Sequence, residues 1–132
     1  MPRTGEHTMA SDEQLIRSLY EGFNRRDIDA VLAALSDDVA WANGMEGTHV
    51  HGRDAVREYW TYQWSVIDPS VTPLGVTQAD DGATVVEVHQ VVRDLEGKVL
   101  LDEVIHHAFH VQDGKVVRFD IVSPSHLKDL PH

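Results

Sequence analysis

Near the C-terminal end of the chain, residues 84–94, 99–111 and 115–123 alternate apolar and polar side chains and are joined by two glycine turns, Glu96-Gly97 and Asp113-Gly114. Alternation with period two is the pattern of strands that bury one face, and an acidic residue followed by glycine suits a tight hairpin turn. Aligned as a meander, the three stretches put Val86, Val88, Val92, Leu101, Ile105, Phe109 and Val111 on one face. Gln90, Glu103 and His107 share that apolar face. A buried face must satisfy each polar group it carries, so this trio is either a hydrogen-bonded knot or the lining of a ligand site.

The preceding segments supply helices. Ser11 followed by Asp12, Glu13 and Gln14 reads as a helix start, after which Leu15, Ile16, Leu19, Tyr20 and Phe23 recur at helical spacing. Asn24-Arg25-Arg26 breaks that helix, and Asp27 caps a short second one with Ile28, Val31, Leu32 and Leu35 on its apolar face. Ser36-Asp37-Asp38 reads as a turn into a first strand, Val39 to Asn43, and residues 44–52 as a loop carrying His49 and His51. A third helix opens at Arg53 or Asp54 and ends before Pro69, with Val56, Tyr59, Trp60, Gln63, Trp64 and Ile67 on one side. Residues 71–79 form a second strand that Pro73 assigns to an edge or a bulge. This order predicts an α+β fold: three N-terminal helices packed in the concave face of a strongly curved, mainly antiparallel sheet, a cone or half-barrel. The domain is expected over residues 11–125, between a disordered N-terminal tail, 1–10, and a C-terminal tail, 126–132.

Composition narrows the partners. At 132 residues the chain makes one domain, and its net charge of −11 repels phosphate backbones and anionic lipid, so neither nucleic acid nor membrane is expected. With no cysteine, thiolate metal sites and thiol nucleophiles are excluded, and a cytoplasmic location is expected. The opening residues lack the apolar stretch of a secretory signal.

Several segments fall in a telling order: Phe23-Asn24, Asp27-Ile28-Asp29, Leu35-Ser36-Asp37-Asp38-Val39, Gly52-Arg53-Asp54-Ala55-Val56 and Asp113-Gly114-Lys115-Val116-Val117. Over about residues 14–123 the chain resembles the SnoaL-like proteins of the nuclear transport factor 2-like superfamily. The resemblance implies an apolar pocket inside the cone, cofactor-free chemistry on small molecules, and a homodimer, with the outer sheet face as the contact. The template of ketosteroid isomerase, a similar fold, transfers poorly. Its general base would fall on Asn43, which cannot accept a proton near neutral pH, its oxyanion tyrosine on Leu19, and its buried aspartate on His107.

His107 is thus the leading catalytic candidate, since burial favours the neutral imidazole that can act as a base. A core histidine hydrogen-bonded to a helix residue is the plainer alternative. Gln90 and Glu103 should be cross-strand neighbours, with Glu103 about 13 Å along the strand from His107 and near an open rim. Asp120 depends on register. A tight turn at Asp113-Gly114 sets it opposite His107 as a carboxylate–imidazole dyad, whereas a three-residue turn with a glycine bulge turns Val117, Phe119 and Ile121 inward and Asp120 out. Burial of Phe119 and Ile121 favours the second, although some SnoaL-like cyclases place a catalytic aspartate on the last strand.

Trp60 and Trp64, with Tyr59 and Gln63, would form the facing wall, and Trp41, Asn43, Phe109 and Phe119 would complete a ligand-binding surface suited to planar or cyclic compounds. Helical aromatic stripes more often serve as plain core. His49-x-His51 invites a metal reading, but no third ligand is placed, so neither metal nor cofactor is expected. The residues therefore point to a cofactor-independent isomerase, lyase or cyclase acting by general acid–base chemistry on a compact apolar or cyclic carbonyl or hydroxyl metabolite. A non-catalytic ligand-binding or dimerisation module is the alternative.

Overall fold

The computed structural model describes residues 4–43 and 48–122. Helix α1 spans Thr4–Asn24 and buries Ile16, Leu19 and Tyr20 from its apolar stripe. It starts seven residues before the expected cap at Ser11: no glycine or proline separates Glu6-His7-Thr8-Met9-Ala10 from the acidic turn that follows, so the helix propagates through it. Helix α1 therefore takes up most of the segment expected to be a tail, whereas the C-terminal tail, 126–132, lies outside the described residues.

Arg26, with φ of 61°, ends α1, and Asp27 caps α2, Ile28–Ala33, by accepting a hydrogen bond from the Ala30 amide at 3.3 Å. The two helices meet closely at Gly22, where an added Cβ would lie 2.7 Å from a methyl of Val31. The chain continues as β1 Leu35–Asn43, β2 Thr48–His51, α3 Arg53–Val66, β3 Asp68–Gln78, β4 Thr84–Arg93, β5 Val99–Gln112 and β6 Lys115–Ile121. These strands form one open sheet in the order β2-β1-β6-β5-β4-β3, antiparallel except for the parallel pair β1–β6. The α+β architecture and its three helices are those expected from the pattern.

Two local expectations give way. Residues 36–38 are strand rather than turn, because β6 runs alongside: Leu35 pairs with Val116, and the Val116 amide donates to the Ala34 carbonyl at 2.9 Å. Arg53 fixes the same spot, donating to the Leu35 carbonyl through Nε and Nη2 at 2.9 and 2.7 Å. The presumed loop holding His49 and His51 contains β2, paired antiparallel with β1. Four residues without apolar alternation carry no strand signal of their own; the neighbour supplies the hydrogen bonds.

Register decides the site. Gln90 faces Glu103 and Val86 faces His107, as the meander predicts. Asp94 and Lys98 close the β4–β5 turn with an amide-to-carbonyl bond of 2.8 Å, and an irregularity between Val92 and Arg93 restores the two-residue parity. At β5–β6 the turn is tight, with Gln112 paired to Lys115 and positive φ at Asp113 (53°) and Gly114 (77°). A bulge then falls between Val116 and Arg118, so Phe119 faces Phe109 and Ile121 faces His107. The inward facing of Phe119 and Ile121 holds, but the extra residue sits inside the strand, and Val116 rather than Val117 is the one fully buried.

The core packs between the helices and one sheet face, centred on Ile16, Leu35, Val39, Val56, Trp60, Val86, Val88, Ile105, Phe109 and Val116, each at most 2% exposed. At the β3 edge, Asn24 imitates a strand partner. Its side chain donates to the Val71 carbonyl at 2.7 Å and accepts from the Val71 amide at 3.0 Å, tying the end of α1 to the sheet.

Candidate functional site

Between α1, α3 and the inner sheet face the packing leaves a cavity of about 70 Å³ that opens to solvent. Leu19, Tyr20, Phe23, Val31, Tyr59, Trp60 and Gln63 line it from the helices, and Trp41, Ala42, Val71, Gln90, His107, Phe109, Phe119 and Ile121 from the sheet. Aromatic rings dominate the walls. Trp41 lies against Phe119 with centroids 4.1 Å apart and planes 18° from parallel, and meets Trp60 edge-on at 5.1 Å.

His107 is the polar centre of this surface. It is 5% exposed, and its Nδ1 lies 2.8 Å from the Tyr20 hydroxyl. The two rings are 5.9 Å apart by centroid and only 4° from coplanar, so the contact is an in-plane hydrogen bond rather than a face-to-face stack. Phe119 meets the imidazole edge-on at 4.7 Å. Loss of water around the ring, with a smaller contribution from the charge His106 can carry, pushes the imidazole from 6.5 down to about 3, so it is neutral at physiological pH. Burial likewise pushes the Tyr20 phenol up, which keeps its proton in place. Both partners are uncharged, and Nδ1 is taken. The ring's second nitrogen, Nε2, is the one left for a ligand.

Two amides sit elsewhere on the wall. Gln63 Nε2 donates to the Tyr59 hydroxyl at 3.0 Å, and Gln90 Nε2 donates to Glu103 Oε2 at 3.0 Å. A carboxylate only accepts, so Glu103 dictates which way the Gln90 amide points.

The expected residues divide cleanly. His107, Trp41, Tyr59, Trp60, Gln63, Gln90, Phe109 and Phe119 come together around the cavity. Glu103 is not part of the lining but hydrogen-bonds Gln90, which is. Asn43 is buried at the end of β1, paired with Thr48, and does not line the cavity. Trp64 packs behind the wall, 5.2 Å from Phe23 and 5.0 Å from the Arg26 guanidinium, with its indole N–H buried and without a hydrogen-bond partner.

Asp120 departs furthest from the dyad considered for it. The bulge pairs it with Ala108, and its carboxylate takes His49 Nε2 at 2.8 Å and Arg118 Nε at 2.8 Å. Partial burial pushes that carboxyl up, but the hydrogen bonds and charges of Arg118 and His49 outweigh it and hold the pKa below the usual range. Asp120 therefore orients His49, not His107. Among the described residues no group of three or more His, Asp or Glu side chains is placed to hold a metal ion.

Sequence reasoning missed Tyr20 as the partner of His107. The isomerase template set its tyrosine one position early, on Leu19, and the helical stripe already held Tyr20. Only the long-range packing of α1 on β5 shows that Tyr20 reaches the imidazole 87 residues away.

Residues 16–119 match the family model of the SnoaL-like domain. Among solved structures, a nuclear transport factor 2-like protein of unknown function from Burkholderia pseudomallei is similar, at 28% identity, with 85% of this chain and 89% of that one covered and a TM-score of 0.74. A protein provisionally named a polyketide cyclase from Xanthomonas campestris pv. campestris is similar at 27% identity, covering 85% and 89% of the two chains with a TM-score of 0.69. An epoxide hydrolase of Mycobacterium tuberculosis shares the fold at 18% identity, covering 83% of this chain and 80% of that one, with a TM-score of 0.70. No curated protein matches the chain.

Proposed function

The chain belongs to the SnoaL-like domain family, and from that premise we propose that its cavity is a ligand pocket in which His107 and Tyr20 together move a proton on a small neutral carbonyl or hydroxyl compound. The reaction class is an isomerisation, elimination or cyclisation. The single observation carrying this reading is the in-plane hydrogen bond between two neutral groups that both line the cavity.

Two tautomers of the pair are complementary. In one, the phenol donates to Nδ1 and Nε2–H is a donor toward the ligand. In the other, Nδ1–H donates to the phenol oxygen, Nε2 is an acceptor and the phenol O–H turns to the ligand. Passing from the second to the first, Nε2 takes a proton from a ligand carbon, Nδ1 hands its own to the Tyr20 oxygen, and Tyr20 releases one to a ligand oxygen. The ligand loses one proton and gains one, and no charge is left in the cavity. A dry site that disfavours both imidazolium and phenolate is therefore compatible with acid–base catalysis, provided the transfers are coupled. Gln63 and Gln90 would hold ligand oxygens, and Trp41, Trp60, Phe109 and Phe119 would hold a flat ring. The relay itself calls for no cofactor.

Exchange of α-protons reads this chemistry without knowledge of the natural reaction. A panel of cyclic ketones and lactones incubated in D2O should exchange faster with the protein than without it, and Tyr20→Phe should lose most of that gain. Equal exchange by wild type and variant would refute the relay, and binding without exchange would leave a non-catalytic ligand carrier. A homodimer through the outer face of β4 and β5, where Val104 is 53% exposed, belongs to the same proposal; sedimentation velocity giving a monomer would remove that part.

A further inference from the structure

We infer that the cavity accepts its ligand only in uncharged form, selecting neutral phenols, enols and ketones against the carboxylate or phenolate of the same shape. The inference rests on the cavity being a ligand site, and it specifies the ligand class. Among the described residues, none of the side chains lining the cavity is Asp, Glu, Lys or Arg. Its polar stations are Tyr20, Tyr59, Gln63, Gln90 and His107, which offer hydrogen bonds and no counter-charge. The neighbouring charges are already committed. Arg26 lies 5.6 Å from the Phe23 ring, outside the lining, and donates to the Phe23 and Pro69 carbonyls and to Asp68. Glu103, the carboxylate behind Gln90, would repel an anion, as does the net charge of −11 over the whole chain.

Cations fare no better at the walls that matter. A ring-face contact could hold one, but Phe119 stacks on one face of Trp41 and Trp60 packs against the same indole at a right angle. An ion entering this surface gives up water and finds only neutral partners, whereas a neutral oxygen loses little and gains a hydrogen bond.

Among the described residues, the titratable groups facing the ligand are Tyr20 from α1, Tyr59 from α3 and His107 from β5, with His106 the neighbouring group whose charge acts on His107. His107 and Tyr20 keep one protonation state across the neutral range. Titration of the ligand can therefore be read separately from theirs.

A nitrophenol that ionises near neutrality is the probe, followed by isothermal titration calorimetry on the full chain from below to above its own pKa. The expected result is a constant affinity below that pKa and a fall of about tenfold per pH unit above it. A non-ionising nitroanisole of the same outline should bind with little pH dependence, which controls for any change in the protein. Anion binding equal to or tighter than that of the neutral form would overturn the inference while leaving the ligand site standing. Failure of both probes to bind in either form would overturn the site itself and the inference with it.

Discussion

The two faces of the sheet use the same residue type in opposite ways. On the inner face His107 is buried against a neutral phenol, with aromatic rings around it. Outside that surface, histidines sit beside carboxylates: His89 Nε2 is 2.7 Å from Asp102, His106 lies 3.7 Å from Glu87, and His49 is 2.8 Å from Asp120. The His89–Asp102 and His106–Glu87 pairs are exposed, and such pairs typically contribute under about 1 kcal/mol each, whereas His49–Asp120 is partly buried. The inner ring is buried with no carboxylate beside it among the described residues, and burial keeps it neutral. The partner and its burial, more than the presence of an imidazole, separate the outer histidine–carboxylate pairs from the buried His107–Tyr20 pair.

The sharpest break of this contrast is removal of the inner ring. His107→Ala should lower any proton-transfer rate by about 10²- to 10⁴-fold in the exchange assay, the usual range for loss of a general acid–base group. His89→Ala should leave the rate unchanged. Comparable losses in both would erase the distinction between the faces.

Stability against pH comes next in size. Because folding lowers the His107 pKa from 6.5 to about 3, the unfolded chain binds more protons at this site between those values. The contribution is fully present above pH 6.5 and drains as pH falls toward 3, at up to about 1.4 kcal/mol per pH unit. Urea unfolding of wild type and His107→Asn across that window should therefore diverge in slope, wild type losing stability faster on acidification. Parallel curves would mean the ring is not buried neutral.

A smaller effect follows from taking away the phenol alone. Tyr20→Phe leaves Nδ1 unpaired in a dry surrounding and should cost about 1–3 kcal/mol in chemical denaturation. The smallest effect belongs to the outer face, where Asp102→Asn should shift stability by less than about 1 kcal/mol and fade further in high salt.

Legibility in the sequence follows the range of the interactions. Strand parity on β4 and β5 comes from local alternation, and it placed Gln90, Glu103 and His107 correctly relative to one another. The three helices were visible for the same reason. Non-local pairing was not: β2 exists because β1 runs beside it, residues 36–38 are extended because β6 lies alongside, and the bulge after Val116 has no local marker. Asp120 turned on that bulge. Burial of Phe119 and Ile121 was still the decisive factor, although the extra residue was expected in the turn and lies in the strand. Tyr20 shows the converse: its position on the helical stripe was plain, but its partner was not, because no spacing rule links residues on α1 and β5.

The most direct measurement is the nitrogen chemical shift of the His107 imidazole, followed by long-range proton–nitrogen correlation as pH is lowered. A buried ring hydrogen-bonded to Tyr20 should remain neutral at pH 5, and its Nδ1 signal should move in Tyr20→Phe. An imidazole that titrates near 6.5 and ignores the loss of the phenol would contradict the dry, neutral pair on which the proposed chemistry depends.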